Sequence, residues 1–587
     1  MLGHHLNSLE SIGLIRLAAT LPDVEYLFRH TLVQEAAYHS LVKRDRAHLH
    51  RAVGETLERM YADRAGELAA LLAKHFDEAG DDERALKYFT LAGERAAATY
   101  ANAEAVMHYT RALEIARRRQ AASSVLRSLY LGMGRALELS ASDDRALLIY
   151  DEMEVTARKA GDRAMELAAQ LALATIYLKP AAVRDLDRGR ALAERTLALA
   201  RDWGDRESEA KSLWNLMQYY KWFGRMEEAI AYGEQALALA RELNLREQLA
   251  YVLNDIASAY GISGQIQRAR ALLEEARQLW RGLGVLNMLA DSLASSAEMH
   301  ALGGEYDQAM ALSREALSVS QTIGNVWNQS YSWYMIDLVH MDRGEMTQAI
   351  EAAEECLRLA RLAGFVPGMM QSLFDLAWIY GDLGALQRGY EVAELFRSTM
   401  TDMPLLGLFG GVMEARLHLC AGKLAEARRA FDEIRRDVAR DALSAYALLF
   451  FDLVDAEVHM GAGDYARVLA LADEALPLLR EAGIRLFLTD ALYLKGRALL
   501  ALNRVEEGRD TLTDARVLAE AIGSRRTLWR ILAALSEIEA GRGNRSEAEA
   551  LRRQAVAIID FIVDHCPPEL RAPFLKRSDV RHVMSVA

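Results

Sequence analysis

The sequence is poor in the residues that mark many other classes of protein. Its 587 residues include only 8 prolines, 3 cysteines and 7% aromatic residues. Cys356, Cys420 and Cys566 are odd in number and far apart, which argues against a disulfide framework and favours a reducing compartment. No uninterrupted apolar run reaches the roughly 18 residues of a membrane span, and the first residues lack the layout of a signal peptide. We therefore expect a cytoplasmic protein without a membrane partner.

Positive charge is also in short supply. The formal net charge is -13, which disfavours general binding to nucleic acid. Hydrophobic residues make up 52% of the chain and charged residues 26%, with Ala and Leu dominant, a mixture that suits amphipathic helices. A single compact core is not expected at this length unless the architecture grows by repetition. The composition thus predicts an all-α protein built from repeats.

Motifs for catalysis are missing as well. The sequence has no Gly-x-x-x-x-Gly-Lys-Ser/Thr phosphate loop, and Gly422-Lys423 lacks the glycine-rich loop that would precede one. It also has no Gly-x-Ser-x-Gly elbow and no Cys-His pair with a supporting local signature. We expect no enzyme activity, no cofactor and no metal site in this chain. An enzyme with an unrecognised site is the remote alternative.

A turn residue recurs along the chain with a period close to 40. Successive turn residues are 40, 40, 40, 40, 38, 41, 40 and 40 residues apart. They are Gly224, Gly264, Gly304, Gly344, Gly384, Gly422, Gly463, Asn503 and Gly543. Gly and Asn tolerate the left-handed backbone that ends many helices, so each of these residues predicts the turn of a helical hairpin.

Small side chains follow each turn at fixed distances. The residue five positions after the turn is Ala or Gly in every unit except at Val468, and the residue twelve positions after it is Ala or Cys in seven of the nine units. Small residues let two helices approach closely, and each hairpin buries its apolar face only by stacking on its neighbours. A ring stands four residues before most turns. The members of this set are Tyr220, Tyr260, His300, His340, Tyr380, His418 and His459.

The four histidines of this set invite a zinc hypothesis. They share their position with tyrosines, and one ring per hairpin puts neighbouring rings on the order of 10 Å apart. Zinc ligands must converge to about 2 Å from one point. The histidines are therefore interpreted as packing residues.

With these features in place, the chain resembles the tetratricopeptide repeat family. The resemblance rests on the apolar first helix, the Tyr-to-Gly turn, the Glu-Ala pair after it and the later Ala, although the 40-residue unit exceeds the family's usual 34. It implies an α-solenoid of about twelve helical hairpins that form a superhelix over residues 76–565. Weaker units are expected near 82–118, 124–160 and 162–202, the last with Lys179-Pro180-Ala181-Ala182 as its turn.

The two ends resemble a particular class of repeat protein. The string Phe28-Arg29-His30-Thr31-Leu32-Val33-Gln34-Glu35-Ala36-Ala37-Tyr38 and the later Arg46-Ala47-His48-Leu49-His50 are similar to the junction before the tetratricopeptide arm of bacterial STAND-type signalling ATPases. The resemblance implies a winged-helix-like remnant with linker helices at 1–75 and a capping segment at 566–587. It also implies that His30 touches a nucleotide phosphate in a parent protein. The alternative for His30 is a core or hydrogen-bonded histidine.

In tetratricopeptide proteins the first helix of each hairpin lines the concave face. Positions about 13, 10, 6 and 3 residues before the turn are exposed there, and in this chain they are rich in aromatic, amide and charged residues, including Asp291 and Glu298. Such mixed surfaces anchor partners, although wide rings can also merely fill gaps between helices. The candidate partner-binding residues are Lys211, Trp214, Gln218, Trp222, Tyr251, Asn254, Tyr331, Tyr334, Phe374, Trp378, Arg416, Tyr493 and Arg497.

Two functions are compatible with these features. The first is the sensor arm of a bacterial signal-transduction ATPase that regulates transcription or a cyclase. In it, a protein, peptide or small effector in the concave groove shifts the population of arm conformations. An ATPase or effector module would then act at the N-terminal end. The alternative is a free-standing adaptor that brings two proteins together.

Overall fold

The computed structural model describes residues 2–19, 25–140, 142–179, 185–399, 404–437 and 445–585. The chain divides into two compact units, Met1–Ala169 and Gln170–Ala587. The boundaries expected at residues 75 and 565 concern a finer organisation and stay predictions. The turn expected at Lys179-Pro180-Ala181-Ala182 lies almost wholly outside the described residues.

The first unit opens with a helix and one antiparallel strand pair, in which Ile15 lies opposite Phe28. Seven helices follow, and a short 3₁₀ turn at Ala62–Arg64 lies between the second and the third of them. The elements are α1 Leu2–Ser11, β1 Ile15–Ala19, β2 Glu25–Phe28, α2 Thr31–Ser40, α3 Lys43–Met60, α4 Ala69–Glu78, α5 Asp82–Ala98, α6 Asn102–Arg118, α7 Ser123–Leu139 and α8 Asp143–Ala160. Phe76 and Tyr88 stack at the centre of its core, with ring centroids 5.7 Å apart.

The second unit begins within α9, and its described residues are helices and short turns. The helices are α9 Arg163–Tyr177, α10 Leu186–Trp203, α11 Arg206–Trp222, α12 Met226–Glu242, α13 Arg246–Ile262, α14 Ile266–Leu283, α15 Leu286–Leu302, α16 Tyr306–Thr322, α17 Val326–Arg343, α18 Met346–Ala363, α19 Val366–Asp382, α20 Leu386–Thr399, α21 Pro404–Cys420, α22 Leu424–Asp437, α23 Ala445–Gly461, α24 Tyr465–Ala482, α25 Leu486–Ala501, α26 Val505–Ile522, α27 Arg525–Gly541, α28 Arg545–Asp564, α29 Pro568–Leu575 and α30 Ser578–Ser585.

The backbone at the repeated turns is the one that the sequence predicts. All nine turn residues have positive φ, from 61° at Asn503 to 85° at Gly543. The small residues that follow are buried, and Ala229 and Ala269 are fully inaccessible. The helices α5 to α28 follow one another along the chain, and partners such as α5 with α6, α11 with α12 and α17 with α18 pack together, which confirms the predicted all-α solenoid of helical hairpins.

A second series of turns lies between the hairpins, and the sequence analysis missed it. These turns fall about 20 residues after the first series, and their residues also have positive φ. They are Asn244, Gly284, Gly324, Gly364, Gly483 and Gly523. Their own spacing of 40 between Asn244 and Gly364 was a signal that could have located the ends of the second helices.

The first helices of the hairpins lie on the inner side of the curve in the second unit. Successive first helices contact one another, as α15 does with α17 and α19 with α21, whereas the described second helices make no comparable series of contacts. Helices on the inside of a curved stack are closer together than those on the outside. The faces of α11, α13, α15 and α17 that are turned away from their partners therefore form the inner face.

The coil of the second unit turns far enough for its edges to meet. The backbone N–H of Thr347 donates to the carbonyl of His565, 218 residues later, at 2.8 Å. The N–H of Arg485 donates to the carbonyl of Leu302 at 3.0 Å in the same way. Turns of early hairpins thus rest on the junctions between late ones.

A buried ionic cluster reinforces this contact. Arg526 donates to both carboxylate oxygens of Asp490, at 3.0 and 2.7 Å, and to Asp342 at 3.1 Å. Ser524 donates to the same oxygen of Asp342 at 2.9 Å. Asp342 is fully inaccessible and Arg526 is 5% exposed. The cluster ties α25 and α27 to the end of α17.

Two glycine substitutions separate the local cost of a side chain at positive φ from the cost of disturbing the contact between the coils. Gly304 and Gly324 both have positive φ, and an alanine costs about 1 kcal/mol at such positions. A Cβ at Gly304 would lie 2.6 Å from Cγ2 of Ile522, whereas one at Gly324 would meet nothing within 4 Å. We expect Gly304→Ala to lower the urea midpoint clearly more than Gly324→Ala. Equal losses would contradict the stacking of Gly304 on Ile522.

Removal of the buried Arg526 side chain should lower the free energy of unfolding more than removal of an exposed arginine side chain. Arg526→Ala leaves Asp342 and Asp490 as buried charges without their counter-ion, a loss of about 3–5 kcal/mol. Arg504→Ala breaks a pair with Glu507 whose side chains are 47% and 60% exposed, and such pairs contribute about 1 kcal/mol or less. Urea denaturation should rank the variants in this order, and hydrogen exchange should show the loss of protection at residues 340–346. A similar midpoint for both variants would show that the buried ionic cluster does not stabilise the contact between the coils.

Candidate binding face of the second unit

A chain of hydrogen bonds crosses the inner faces of α11, α13, α15 and α17. The Trp214 indole N–H donates to Asp255 at 2.8 Å. Asn254, the neighbour of Asp255 on α13, donates its amide to Asp291 of α15 at 2.6 Å. The Tyr331 hydroxyl of α17 lies 3.1 Å from both Glu298 and Ser295 of α15. We call Asp255, Asp291 and Glu298 the inner acidic cluster.

The inner acidic cluster is short of positive charge. Within the described parts of the chain, Lys221 is the only basic side chain in ion-pair contact with it, and its Nζ lies 3.5 Å from Asp255. Burial, reinforced by the charge of Asp255, raises the pKa of Asp291 to about 7. Burial likewise raises the pKa of Glu298 to about 7, against the hydrogen bond from Tyr331. Both residues are partly exposed as a whole, while burial dominates the environment of their carboxyl groups.

Aromatic rings stand at both ends of the cluster. Trp214 of α11 and Tyr251 of α13 lie at one end, with centroids 5.7 Å apart. Tyr331 and Tyr334 of α17 lie at the other, 5.9 Å apart. Trp214 is buried, while the three tyrosines are partly exposed. The structure therefore brings five predicted site residues together, these four and Asn254, around carboxylates.

Further along the solenoid the inner face is filled by rings. Phe374 and Trp378 of α19, Phe450 of α23 and Phe487 of α25 form a cluster in which Phe450 lies 5.2 Å from Phe374 and 4.5 Å from Phe487. Phe374 is 3% exposed and Trp378 is 6% exposed. In this arrangement the two predicted site residues pack against other hairpins, and their contact with a partner stays a prediction.

The predicted basic residues of this region are engaged by acidic ones. Arg416 donates to Asp382 at 2.6 Å, and its guanidinium carbon lies 3.6 Å from the centre of the Trp378 ring. Arg497 lies 3.8 Å from Glu537. Tyr493 is partly exposed between these groups, and burial raises its pKa.

Three further predicted site residues lie on α11. Lys211 and Gln218 are partly exposed. The Trp222 indole donates to the carbonyl of Leu178 at 2.8 Å, which ties α11 to the end of α9. Asp255 was not among the predicted site residues, because it lies nine residues before the turn at Gly264 and the family resemblance does not supply that spacing.

The histidines that precede the turns have local partners. His300, His340 and His459 lie 2.6, 2.5 and 3.1 Å from the carboxylates of Glu305, Glu345 and Asp464 at the start of the following helix. Each bridges the two helices of its hairpin, as a packing residue does. In the described ranges no three His, Cys, Asp or Glu side chains could hold a metal ion together. Over the same ranges no helix is long and apolar enough to cross a membrane.

His30 lies in the first unit, at the N-terminus of α2. Its side chain is exposed, and its carbonyl accepts the N–H groups of Val33 and Gln34 at 3.0 and 3.3 Å. This exposed position differs from that of a core histidine. Contact with a nucleotide phosphate in a parent protein stays a prediction.

Similarity to known proteins is found at the level of the three-dimensional structure. No protein-family description matches it, and no curated protein does. A solved Rap protein complexed with Competence and Sporulation Factor aligns with 62% of this chain and 99% of its own length, at 14% identity and a TM-score of 0.49.

Two other solved structures are similar in the same way. A STAND protein with a tetratricopeptide repeat sensor from Pyrococcus horikoshii aligns over 71% of this chain and 60% of its own, at 16% identity and a TM-score of 0.42. Aspartyl phosphate phosphatase F from Bacillus subtilis aligns over 59% of this chain and 91% of its own, at 13% identity and a TM-score of 0.38. These similarities concern the tetratricopeptide-like fold, which the helical hairpins establish by themselves.

Neutral isosteres in the inner acidic cluster should stabilise the protein above neutral pH. The folded pKa values of Asp291 and Glu298 lie above the values of about 4 in unfolded chains. Ionisation of these groups therefore opposes folding, and stability falls as the pH rises from about 4 to about 7. Asp291→Asn with Glu298→Gln keeps the hydrogen-bonding shapes and removes the charges. We expect the free energy of unfolding of the double variant to exceed that of the parent by roughly 2 kcal/mol at pH 8, a value that allows for solvent screening. The difference should disappear near pH 4.

Thermal unfolding at several pH values measures this difference. Glu227→Gln, an exposed position on α12, serves as the control and should leave the pH profile unchanged. A double variant that is less stable than the parent at pH 8 would show that the carboxylates are compensated in the folded protein.

Proposed function

We propose that the second unit is a binding scaffold that holds a peptide or a protein segment against the inner faces of α11 to α17. The observation that carries this proposal is the contrast along the inner face. At α19 to α25 the face is filled by the rings around Phe450, whereas at α11 to α17 partly exposed tyrosines surround the inner acidic cluster. Partly exposed rings beside polar groups provide anchoring area together with orientation.

A structural role alone is a poor explanation for this arrangement. Carboxylates in a packed helical core are normally paired with cations or fully hydrogen-bonded, because unpaired ones are costly. Asp342 and Asp490 follow that rule through Arg526, whereas Asp291 and Glu298 do not. A stability cost of this kind at an accessible surface is typical of sites that await a partner.

We further propose that the chain is the sensor arm of a bacterial signalling ATPase and acts in the cytoplasm. The order of elements before the repeats supports this role, because a helix, a strand pair and two helices up to Met60 cover the stretch that resembles the junction with such an ATPase. A bound segment would favour one degree of coiling of the solenoid, which is a population shift. A free-standing adaptor would use the same inner face without any nucleotide-driven step.

Site-specific crosslinking tests the binding face. A photoreactive phenylalanine at Tyr334 should crosslink a partner in cells of the source organism, because Tyr334 is partly exposed on the inner face of α17. The same residue at Trp203, 38% exposed at the end of α10, is the matched control. Mass spectrometry of the adducts identifies the partner. Adducts no more frequent at Tyr334 than at Trp203 would contradict the proposed face.

Affinity purification separates the sensor arm from the adaptor. An ATPase recovered equally with the parent chain and with Tyr334→Ala would dock away from the inner face, as the sensor-arm proposal requires. If every recovered protein is lost with Tyr334→Ala and none is an ATPase, the adaptor is the correct function. Circular dichroism of the variant checks that the helices are intact.

A further inference from the structure

The inner acidic cluster has more acceptors than donors. Its three carboxylates face one ammonium group, that of Lys221, which contacts only Asp255 among them. Asp291 receives a hydrogen bond from Asn254, and Glu298 receives one from Tyr331. Both donors are neutral. Within the described parts of the chain, no basic side chain therefore forms an ion pair with the two carboxylates on α15.

Asn254 supplies an independent indication of a missing donor. The side chain is 5% exposed, and its amide nitrogen is used by Asp291. Its carbonyl oxygen has no hydrogen-bond partner, and a buried acceptor without a donor costs roughly 1–3 kcal/mol. When Asp291 is ionised it fixes the amide orientation, because a flipped amide would set two oxygens against each other. The acceptor without a donor thus lies on the residue that donates to Asp291.

The surroundings of the cluster favour a basic side chain over a metal ion. In the described ranges no group of three metal-ligating side chains converges on a point, so a small hard cation finds no ligand shell. The carboxylates at positions 291 and 298 are two turns apart, about 10 Å along the helix axis, which suits separate donors of an extended basic segment. Flanking aromatic rings attract organic cations through their faces.

We propose that the inner acidic cluster binds a guanidinium or ammonium group of a basic residue in the peptide segment that the inner face holds. The inference rests on the proposed binding function and adds the chemistry of the partner. Asp291 accepts hydrogen bonds from the cation, and Glu298, two helical turns away, accepts from a neighbouring donor of the segment. The pairs Trp214–Tyr251 and Tyr331–Tyr334 offer apolar area to the neighbouring residues of the segment, which a free polyamine would leave unused.

The charge of the cluster links binding to pH. Lys221 and Asp255 on α11 and α13 and Tyr331 on α17 face the two carboxylates of α15. Since the pKa values of Asp291 and Glu298 are about 7, an incoming cation must displace protons below neutral pH. Affinity for a basic segment should therefore increase several-fold between pH 6 and pH 8.

A peptide selection tests the proposal with the full chain. Random heptapeptides are selected on the immobilised protein and, in parallel, on Asp291→Asn/Glu298→Gln, which keeps the hydrogen-bonding shapes. We expect Arg or Lys at one fixed position of the peptides selected by the parent and no such preference with the variant. In a selected peptide, replacement of that Arg by citrulline, or of that Lys by norleucine, should weaken binding tenfold or more to the parent. The same replacement should weaken binding less than threefold to the variant.

The outcomes separate this inference from the proposed function. Selected peptides without a basic position, or a citrulline effect that is equal in both proteins, would overturn the cation site and leave the binding face intact. Binding of spermidine to the parent without enrichment of any peptide would overturn the peptide as partner. If neither peptides nor spermidine bind, the proposed function and the inference both fail. Glu227→Gln is the control and should select the same peptides as the parent.

Discussion

The close approach of the two helices in each hairpin governs the rest of this structure. A left-handed residue such as Gly264 reverses the chain, and fully buried small residues such as Ala269 and Ala276 let the helices pack closely. Two helices of about 17 residues cannot bury their apolar faces alone. Each hairpin must therefore stack on the next, and the repeated rotation coils the second unit until Leu302 meets Arg485. The inner face is a consequence of this stacking.

The period of 40 predicted the hairpins because each turn depends on one residue. Positive φ is a local requirement that Gly or Asn meets, so Gly224 and Asn503 could be recognised without any knowledge of the fold. The contact between Gly304 and Ile522 could not be recognised in this way. It results from rotations summed over more than five repeats, and a small change in each would move Ile522 away from the turn.

For the candidate site too, the sequence could predict the helix face of a residue but not its long-range contacts. The spacing before each turn assigned Tyr251, Asn254, Tyr331 and Phe374 to one face, since that assignment needs only the helical period. It could not tell which of these positions remain accessible. Phe374 is covered by Phe450, which lies two hairpins further along, whereas Tyr331 at the equivalent face keeps contact with solvent. The difference depends on the size of residues in other repeats.

Buried carboxylates on the first helices have two different environments. The carboxylates without a charged partner lie on a helix that also contacts a later part of the coil. Asp342 and Asp382, each two residues before a turn, are compensated by Arg526 and Arg416 from other hairpins. Asp291 and Glu298 lie earlier on α15 and have neutral partners. Glu298 precedes Leu302 by one helical turn, and Leu302 accepts the hydrogen bond from Arg485 of the later coil. A cation bound at the inner acidic cluster would thus act on the same helix that carries a contact between the coils. A change in the charge of α15 would therefore occur one helical turn from a contact between the coils, and under the proposed sensor role that contact is the element that binding would bias.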